Sequence, residues 1–525
     1  MKWENGLVTI KEEGGVLGRI LLASQDINAG DEIFSCKSKA IAIDSNTESL
    51  EGNCFWCGKQ CSEYPISCTN CQAKFCAGCV HGYDNHTGLE CAILSQYQSG
   101  TGGDSLVRQG VLALRLLLIH CDPDRDSDDR VIKPEGDVQV SLYDLVGEAE
   151  ACDETRTVLA ADIMKAVLSE ECRKHYPSQF SDGDISEQKL LLILDIMHRN
   201  AFKCNNIITV FPELSLVNHS CMPNAVVTVG YETVSDAKRG VNESVLMATV
   251  RAIRPITMGE EVTISYYPLG LNPTEIRQVV IQSKHGFCCG CHACSLSTDQ
   301  NDDRLLLKQD ETHFGDIELI LEPLLEVFES ADEEMELLTS AQQSRDNSMR
   351  ESIELTCGMS SDSIPDESID DEKFEDMKFL LMRAKAGIEN LKLGDVHYLR
   401  LKYLVMSAET SVLQGKRQEV VENCEEWLQL VNDAPDNIQM LCDAHLRCRM
   451  LVLCGENAAS FFLSKTESAL ENTKKKKNKV MEALSRAIEL AGIIYGRDYA
   501  MCQLLEEQRE LVSKTSTLRC EDDNA

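Results

Sequence analysis

The chain has 525 residues, of which 43% are apolar and 26% are charged, and its formal net charge is −35. This length accommodates roughly two to four domains, and the composition argues against a disordered or fibrous chain. The acidic excess argues against nonspecific nucleic-acid binding, because duplex affinity comes largely from Lys and Arg side chains that neutralise phosphates. It is consistent either with electrostatic steering of basic peptide partners or with a general contribution to solubility.

The apolar segments give no sign of secretion or of a membrane span. Residues 1–6 lack the apolar core of a secretory signal, and the longest apolar run, residues 111–119, is short and broken by Arg115. We therefore expect a soluble intracellular protein without a membrane partner, in the cytoplasm, the nucleus or both. In such a reducing compartment, clusters among the 25 cysteines are better explained as metal ligands than as disulfides.

Two blocks of short apolar runs predict β-structure. In the first, residues 16–43, two or three strands are joined by a tight turn at Ala29-Gly30-Asp31. The second is residues 207–267, with predicted strands at residues 225–229, 245–252 and 261–267. Between the blocks, apolar residues at helical spacing predict structural helices at residues 105–120 and 187–197.

The last part of the chain is predicted to be helical. Residues 302–377 are strongly acidic, and within them residues 349–373 have little to bury and are predicted to form a solvated loop or linker. Helical periodicity then recurs at residues 374–393, 397–414, 417–432, 436–454, 479–494 and 497–513. We expect a stack of antiparallel helix pairs, loosely like tetratricopeptide repeats but without a fixed period.

A run of lysines at residues 473–479 precedes one of the predicted helices. It is interpreted either as a nuclear import signal or as an ordinary solvated charge run.

A cysteine-rich stretch at residues 54–91 has the spacing of zinc ligands. Two cysteines separated by two residues can bind one tetrahedral ion, because the turn between them brings both sulfurs to about 2.3 Å from the metal. Eight such ligands suffice for two zinc ions: Cys54, Cys57, Cys68, Cys71, Cys76, Cys79, His86 and Cys91. Cys61 and His81 are alternative ligands.

This stretch resembles a MYND zinc finger, in which the ligand pairs interleave. By that resemblance one ion is bound by Cys54, Cys57, Cys76 and Cys79, and the other by Cys68, Cys71, His86 and Cys91. Two spacings depart from the family pattern, since two residues separate Cys76 from Cys79 and four separate His86 from Cys91. His81 or Cys61 is therefore an alternative to Cys79. The finger either mediates protein interactions or supports the fold.

A further metal site is predicted from the heptapeptide Asn218-His219-Ser220-Cys221-Met222-Pro223-Asn224 and a later cysteine cluster. Cys221, Cys289, Cys291 and Cys294 supply the four soft ligands of a closed tetrahedral zinc site. A third zinc ion would clamp the distant loop onto the heptapeptide.

Several motifs surround the heptapeptide in order. They are Gly18-Arg19, Ala29-Gly30-Asp31-Glu32, Asn200-Ala201-Phe202, residues 211–217, residues 259–267 and Phe287-Cys288-Cys289-Gly290-Cys291. Together they resemble the SET and MYND (SMYD) family of protein-lysine methyltransferases, through motifs in residues 7–50 and 198–296.

The resemblance implies an α+β multidomain fold: a split SET β-fold with an inserted MYND-like zinc finger and an α-helical, TPR-like C-terminal domain. The implied segments are 1–50 (SET, first part), 51–95 (finger), 96–198 (helical insert), 199–268 (SET core), 269–298 (post-SET zinc region), 299–373 (acidic helix and linker) and 374–525 (helical domain).

The resemblance also implies methyl transfer from S-adenosylmethionine to a protein lysine, with Tyr266 as the catalytic residue and Phe202 and His285 in the substrate channel. The implied cofactor contacts are Gly18, Arg19, Asn200, Asn218, His219 and Phe287. The chain departs from the family at Ile20, where many members have a second glycine, and at His285, which replaces a common channel tyrosine. Loss of that hydroxyl would either change the number of methyl groups added or weaken catalysis.

The expected acceptor is a basic protein or peptide, either a histone tail or a nonhistone protein. Further protein partners would bind the finger and the C-terminal helices, and no direct nucleic-acid binding is expected. The alternative function is a catalytically weak or inactive SET–MYND scaffold that binds zinc and mediates protein interactions. The sequence leaves the target lysine, the methylation state and the oligomeric state open.

Overall fold

The structure is a computed structural model. It describes residues 6–12, 18–43, 110–117, 145, 154–167, 186–204, 207–236, 241–267, 272–295, 374–391, 393, 397–434, 439, 442–464 and 470–514, with parts of 53–91 and 323–335. The predicted linker at residues 349–373 lies outside the described residues.

The chain divides into two compact units. The first unit comprises residues 1–219, 224–264 and 281–287, and the second comprises residues 220–223, 265–280 and 288–525. The heptapeptide is therefore shared, because Asn218, His219 and Asn224 belong to the first unit and Cys221 belongs to the second.

The first unit contains the described β-structure. Its strands are β1 (Val8–Glu12), β2 (Arg19–Ala23), β3 (Glu32–Lys37), β4 (Ala40–Ile43), β5 (Ile66–Ser67), β6 (Lys74–Phe75), β7 (Ala201–Cys204), β8 (Ile207–Val210), β9 (Asn218–His219), β10 (Ala225–Asp236), β11 (Val241–Ala252) and β12 (Thr263–Ile264). They form small sheets in the orders β1-β2, β10-β11-β3, β4-β8-β7, β5-β6 and β12-β9. All these pairings are antiparallel except β12 with β9, which is parallel.

The predicted strands in the second β block are only partly correct. Strands β10 and β11 contain residues 225–229 and 245–252 and continue outward as one long hairpin, paired from Ala225 with Ala252 to Asp236 with Val241. The predicted strand at residues 261–267 is strand only at Thr263–Ile264. The reason is that the buried Asn224 side chain bonds the Glu261 carbonyl and the Thr263 N–H, at 2.8 Å each, where a neighbouring strand would otherwise bond.

Helices α1 (Glu154–Val167) and α2 (Glu187–Asn200) pack together in the first unit. Ser186 caps α2, its hydroxyl accepting a hydrogen bond from the Lys189 N–H at 3.3 Å. Both helices share a core with helical residues 110–117 and with β4 and β8. The helix predicted at residues 187–197 is confirmed and runs to Asn200, whereas α1 was not predicted.

Helix α3 (Thr274–His285) runs from the second unit into the first, and the short helix α4 is His292–Ser295. The later helices are α5 (Glu375–Leu391), α6 (Tyr398–Leu413), α7 (Arg417–Asp433), α8 (Ala444–Ser464), α9 (Leu470–Tyr495) and α10 (Ala500–Lys514). From α5 to α10, each packs on its neighbour in sequence, and α8 also packs on α10.

This succession confirms the predicted helices, with shifted bounds. The lysine run lies within α9 rather than ahead of it. Lys477 donates to the Ser513 carbonyl at 2.7 Å, and Lys479 lies 3.7 Å from a Glu425 carboxylate oxygen. Among the described residues, no helix is both long and apolar enough to cross a membrane.

Candidate metal centres and cofactor site

Four cysteines form the first finger site. The Sγ atoms of Cys54, Cys57, Cys76 and Cys79 all lie within 4.8 Å of one another, and Cys57 Sγ is 3.9 Å from Cys76 Sγ. A regular tetrahedron of sulfurs about 2.3 Å from zinc has edges of about 3.8 Å, so this spacing suits a metal ion and is far too long for disulfides. The structure groups Cys79 with this site, and His81 lies outside the described residues.

The first ligand pair is shaped by a glycine turn. Gly58, which follows Cys57, has a φ of +75°, and its N–H donates to the Cys54 carbonyl at 2.8 Å. This φ favours glycine, and a Cβ here would lie 2.6 Å from the end of the Ile207 side chain, which would have to move.

The second finger site joins three cysteines and a histidine. The ligand atoms of Cys68, Cys71, His86 and Cys91 lie within 4.8 Å of one another, and all four residues are buried. Cys68 Sγ is 3.5 Å from Cys91 Sγ, and Cys71 Sγ is 3.0 Å from His86 Nε2. Strand β5 ends just before Cys68, a ligand of the second site, and β6 ends just before Cys76, a ligand of the first site. The β5–β6 hairpin therefore directs ligands to both sites of the finger.

A buried ion pair that the sequence did not predict lies next to His86. Glu90 Oε2 lies 3.5 Å from His86 Nδ1, and the carboxylate accepts two hydrogen bonds from Arg115, at 2.9 and 3.0 Å. Burial raises the pKa of Glu90, but the Arg115 charge and the contact with His86 outweigh it and lower this pKa to about 2. A carboxylate behind a ligating histidine orients the ring toward the metal.

Arg115 also connects the finger to strand β4. Its guanidinium lies over the rings of Phe55 and Trp56, at 4.6 and 5.2 Å, and donates a hydrogen bond to the Ile41 carbonyl of β4. The sequence indicated no role for this arginine beyond interrupting an apolar run. The sequence feature that could have indicated its role is the presence of one charged residue in an otherwise apolar helical segment.

The third site lies within the second unit. The Sγ atoms of Cys221, Cys289, Cys291 and Cys294 lie within 4.8 Å of one another, and Cys221 Sγ is 3.8 Å from Cys289 Sγ and 3.6 Å from Cys294 Sγ. Gln278 of α3 holds Cys289 from both sides: its Oε1 accepts from the Cys289 N–H and its Nε2 donates to the Cys289 carbonyl, each at 2.8 Å. Ala434, after α7, packs against these cysteines.

Asn218 joins three distant segments of the first unit. Its Nδ2 donates to the Arg19 carbonyl at 3.0 Å and to the Glu261 carboxylate at 2.8 Å. Since both partners are acceptors, the amide nitrogen must face them, which fixes the side-chain orientation. The parallel pairing of β9 with β12 places Asn218 beside Thr263 and His219 beside Ile264. Gly18 precedes β2 with a φ of +59° and with open space on the side where a Cβ would project.

Asn224 and Glu260 support this arrangement and were not predicted. Asn224 Nδ2 donates to Glu260 at 3.1 Å, and Arg254 lies 2.9 Å from the same carboxylate oxygen. Burial raises the pKa of Glu260, but the hydrogen bonds from Asn224 and the Thr257 N–H, with the Arg254 charge, lower it overall. The heptapeptide is thus anchored by its last residue as well as by its first.

The remaining predicted cofactor and channel residues of the first unit lie on α2, β7 and the end of α3. Asn200 Nδ2 donates to the Ile196 carbonyl at 2.8 Å, and Phe202 packs edge-on against Phe211, with ring centroids 5.9 Å apart. The rings of His285 and Phe287 are 6.2 Å apart.

His285 lies in a setting that disfavours a positive charge. Burial lowers its pKa to about 4, and the charges of His219, His198 and Arg199 act in the same direction. The imidazole is therefore neutral near pH 7. Tyr266 belongs to the second unit and is the second residue after the end of β12. The hydroxyl of the neighbouring Ser265 donates to the Tyr267 carbonyl at 2.6 Å.

Residues 18–267 match the family model of the SET domain. N-lysine methyltransferase SMYD2 of Bos taurus is 28% identical to this chain over 288 residues, which cover 53% of this chain and 58% of the relative. SMYD2-B of Danio rerio is 27% identical over 292 residues, with the same coverage. Residues 18–267 therefore form a SET domain, and the similarity to the SMYD2 relatives supports membership of the SET and MYND family.

The matched SET domain includes both finger sites and the Asn218 hydrogen bonds. The chain spans only 58% of the length of the relatives named. The crystal structure of the SET domain of LSMT bound to lysine and AdoHcy aligns over 98% of this chain and 89% of that chain, at 13% identity. Its TM-score of 0.24 is too low to support an argument about fold or function.

Proposed function

We propose that the protein is an S-adenosylmethionine-dependent protein-lysine N-methyltransferase. The observation that carries the proposal is the convergence at Asn218, whose side chain bonds the Arg19 carbonyl and the Glu261 carboxylate. Three segments that the family resemblance assigns to the cofactor and catalytic region thereby meet at one side chain. The SMYD2 relatives are N-lysine methyltransferases by name, which supports the same activity here.

The residues around Asn218 suit an amino-acid cofactor. Both Nδ2 hydrogens of Asn218 have protein acceptors, which leaves Oδ1 to accept a hydrogen bond from a ligand amino group. Gly18 leaves open space beside the Arg19 backbone. S-adenosylmethionine, when bound, supplies a methyl group on an electrophilic sulfonium. Its proposed contacts are Gly18, Arg19, Asn200, Asn218 and His219, with Phe287 covering the adenine.

The target lysine must lose its proton before it can accept a methyl group. At an ordinary lysine pKa of about 10.4, exposing the neutral amine at pH 7 costs about 4 to 5 kcal/mol. An apolar channel lowers that cost, because desolvation disfavours the ammonium form. Phe202 and Tyr266 are proposed to line the channel, with the Tyr266 hydroxyl orienting the amine. The neutral His285 would add a polar group there without opposing the approach of the lysine.

The proposed metal content is three zinc ions, one in each finger site and one in the third site. The donor sets suit zinc, since tetrahedral sites of four thiolates or of three thiolates and one imidazole are typical of structural zinc. Their role here would be to hold the finger and the region after the SET core in shape.

We further propose the finer architecture: a SET fold split by a MYND-like finger, and a TPR-like stack of helices in residues 374–525. The proposed segment bounds are those predicted from the sequence. The proposed substrate is a basic protein, such as a histone tail or a nonhistone protein, because the net charge of −35 favours basic partners. The expected compartment is the cytoplasm, the nucleus or both.

A second candidate function is a SET–MYND scaffold with little or no activity. The observation that favours it is His285, which replaces the common channel tyrosine and is neutral near pH 7. His285→Tyr distinguishes the two functions. If the protein is an active enzyme, His285→Tyr should change the rate of methyl transfer or the number of methyl groups added. If it is a scaffold, the variant should gain little methyltransferase activity.

The decisive experiment incubates the wild-type protein and Tyr266→Phe with labelled S-adenosylmethionine and a mixed protein extract. Label should enter protein with the wild type and fall sharply with Tyr266→Phe. Cofactor binding is measured in parallel by calorimetry. Measurable binding without transfer above the Tyr266→Phe level would refute the enzyme and leave the scaffold.

A further inference from the structure

A buried arginine lies against the third site. Arg277 of α3 is 1% exposed, and its Nη2 lies 3.7 Å from Cys294 Sγ. The same guanidinium donates to the Thr274 hydroxyl at 2.9 Å and to the Asn272 carbonyl. Both of these acceptors are neutral oxygens. A buried cation is costly unless an anion lies nearby.

The third site can supply that anion. Thiolates rather than thiols bind zinc, so four cysteines around one Zn²⁺ carry a net charge of −2. A guanidinium at hydrogen-bond distance from one sulfur offsets part of this charge, and its planar array of N–H groups can serve the sulfur and the two oxygens together.

We propose that Arg277 is a positioning residue of the third site, which stabilises the metal-bound tetrathiolate by donating an N–H···S hydrogen bond to Cys294 and neutralising part of its charge. This inference depends on the metal content proposed above and not on methyl transfer. Two consecutive residues of α3 then contact the site. The charged Arg277 side chain contacts Cys294 Sγ, and the Gln278 side chain hydrogen-bonds the Cys289 backbone.

The second finger site makes a useful comparison. Three thiolates and one imidazole around Zn²⁺ carry a net charge of only −1, and the charged group next to its histidine is the carboxylate of Glu90. The first finger site has four thiolates and the same net charge of −2 as the third site, and it is the third site that Arg277 contacts. Replacement of Arg277 should therefore affect the third site alone.

The test compares the full chain as wild type, Arg277→Gln, Arg277→Lys and the control Arg400→Gln. Arg400 lies in the same unit and forms a surface ion pair with Glu426 at 3.2 Å. Zinc per chain is measured by metal analysis, and the rate of zinc release to a colorimetric chelator is measured at pH 7. Circular dichroism checks the fold, and cobalt substitution reports thiolate coordination through its charge-transfer absorption.

Arg277→Gln should release one zinc about ten- to a hundredfold faster than wild type, the usual effect of losing a contact to a metal ligand. The other two ions should be released at wild-type rates. Arg277→Lys should stay within about tenfold of wild type, because it keeps the charge but not the fork of donors. Arg400→Gln should not differ from wild type.

Unchanged release from Arg277→Gln would overturn the inference. So would complete loss of one zinc from Arg277→Lys, a result that decides the matter even if the Gln variant does not fold. Fewer than three zinc ions in the wild-type chain would instead refute the metal assignment. Absence of methyl transfer would refute the proposed activity and leave these zinc measurements unaffected.

Discussion

Arg115→Met removes the cation that the buried Glu90 carboxylate requires, while keeping most of the side-chain volume. Glu90 is 3% exposed, and its pKa is about 2 against an ordinary value of 4.5. Since one pKa unit corresponds to 1.36 kcal/mol, this shift corresponds to about 3 kcal/mol of net stabilisation of the ionised carboxylate. The figure falls within the roughly 3 to 5 kcal/mol that breaking a buried ion pair costs.

The expected effect is local opening of the finger. A loss of about 3 kcal/mol should raise amide hydrogen exchange in peptides from residues 54–91 by roughly 100-fold, since 1.4 kcal/mol is a tenfold change. Because the folded-state pKa of Glu90 lies below its unfolded value, the stabilisation is complete above about pH 4.5 and is lost as the pH falls toward 2.

The assay is hydrogen exchange at pH 7, read by mass spectrometry. Lys378→Met is the matched control, because it breaks an ion pair with Glu375 whose partners are both exposed and should cost less than about 1 kcal/mol. Adding Glu90→Leu to Arg115→Met removes the unpaired buried charge, and the double variant should recover at least half of the stability lost in Arg115→Met. Equal exchange in Arg115→Met and Lys378→Met, or no recovery in the double variant, would refute the reasoning.

Three further predictions concern the candidate sites. Glu261→Ala removes one hydrogen-bond acceptor of Asn218 and should weaken S-adenosylmethionine binding about ten- to a hundredfold by calorimetry. The same substitution at the exposed Glu232 is the control, and equal affinities of the two variants would remove Asn218 from the cofactor site. By NMR titration, His285 should protonate near pH 4, and therefore contribute no step to an activity profile between pH 6 and 8; a midpoint above 6 would contradict the burial argument. Metal analysis should return three zinc ions per chain, and chelation should unfold residues 54–91 first; a finger that keeps its exchange protection after full chelation would show that the metals are not structural.

Local pattern determined much of what could be predicted. The cysteine pairs indicate zinc because the two ligands of a pair lie within one turn of the chain. The turn after Cys57 uses Gly58, which has a positive φ. Apolar periodicity likewise predicted α2 and the helices after residue 374, since a helix must bury one face of its own sequence. Each of these inferences depends on residues close together in the chain.

Only the tertiary structure decided which distant groups meet. Spacing left Cys79, His81 and Cys61 as alternatives, because the choice among them depends on where the chain returns after the β5–β6 hairpin. The sequence singled out neither Arg115 nor Arg277 as a site residue, and their significance comes from Glu90 and from the third cysteine cluster, which folding brings beside them. The cost of a buried charge is set by its surroundings, and a linear sequence does not contain those surroundings.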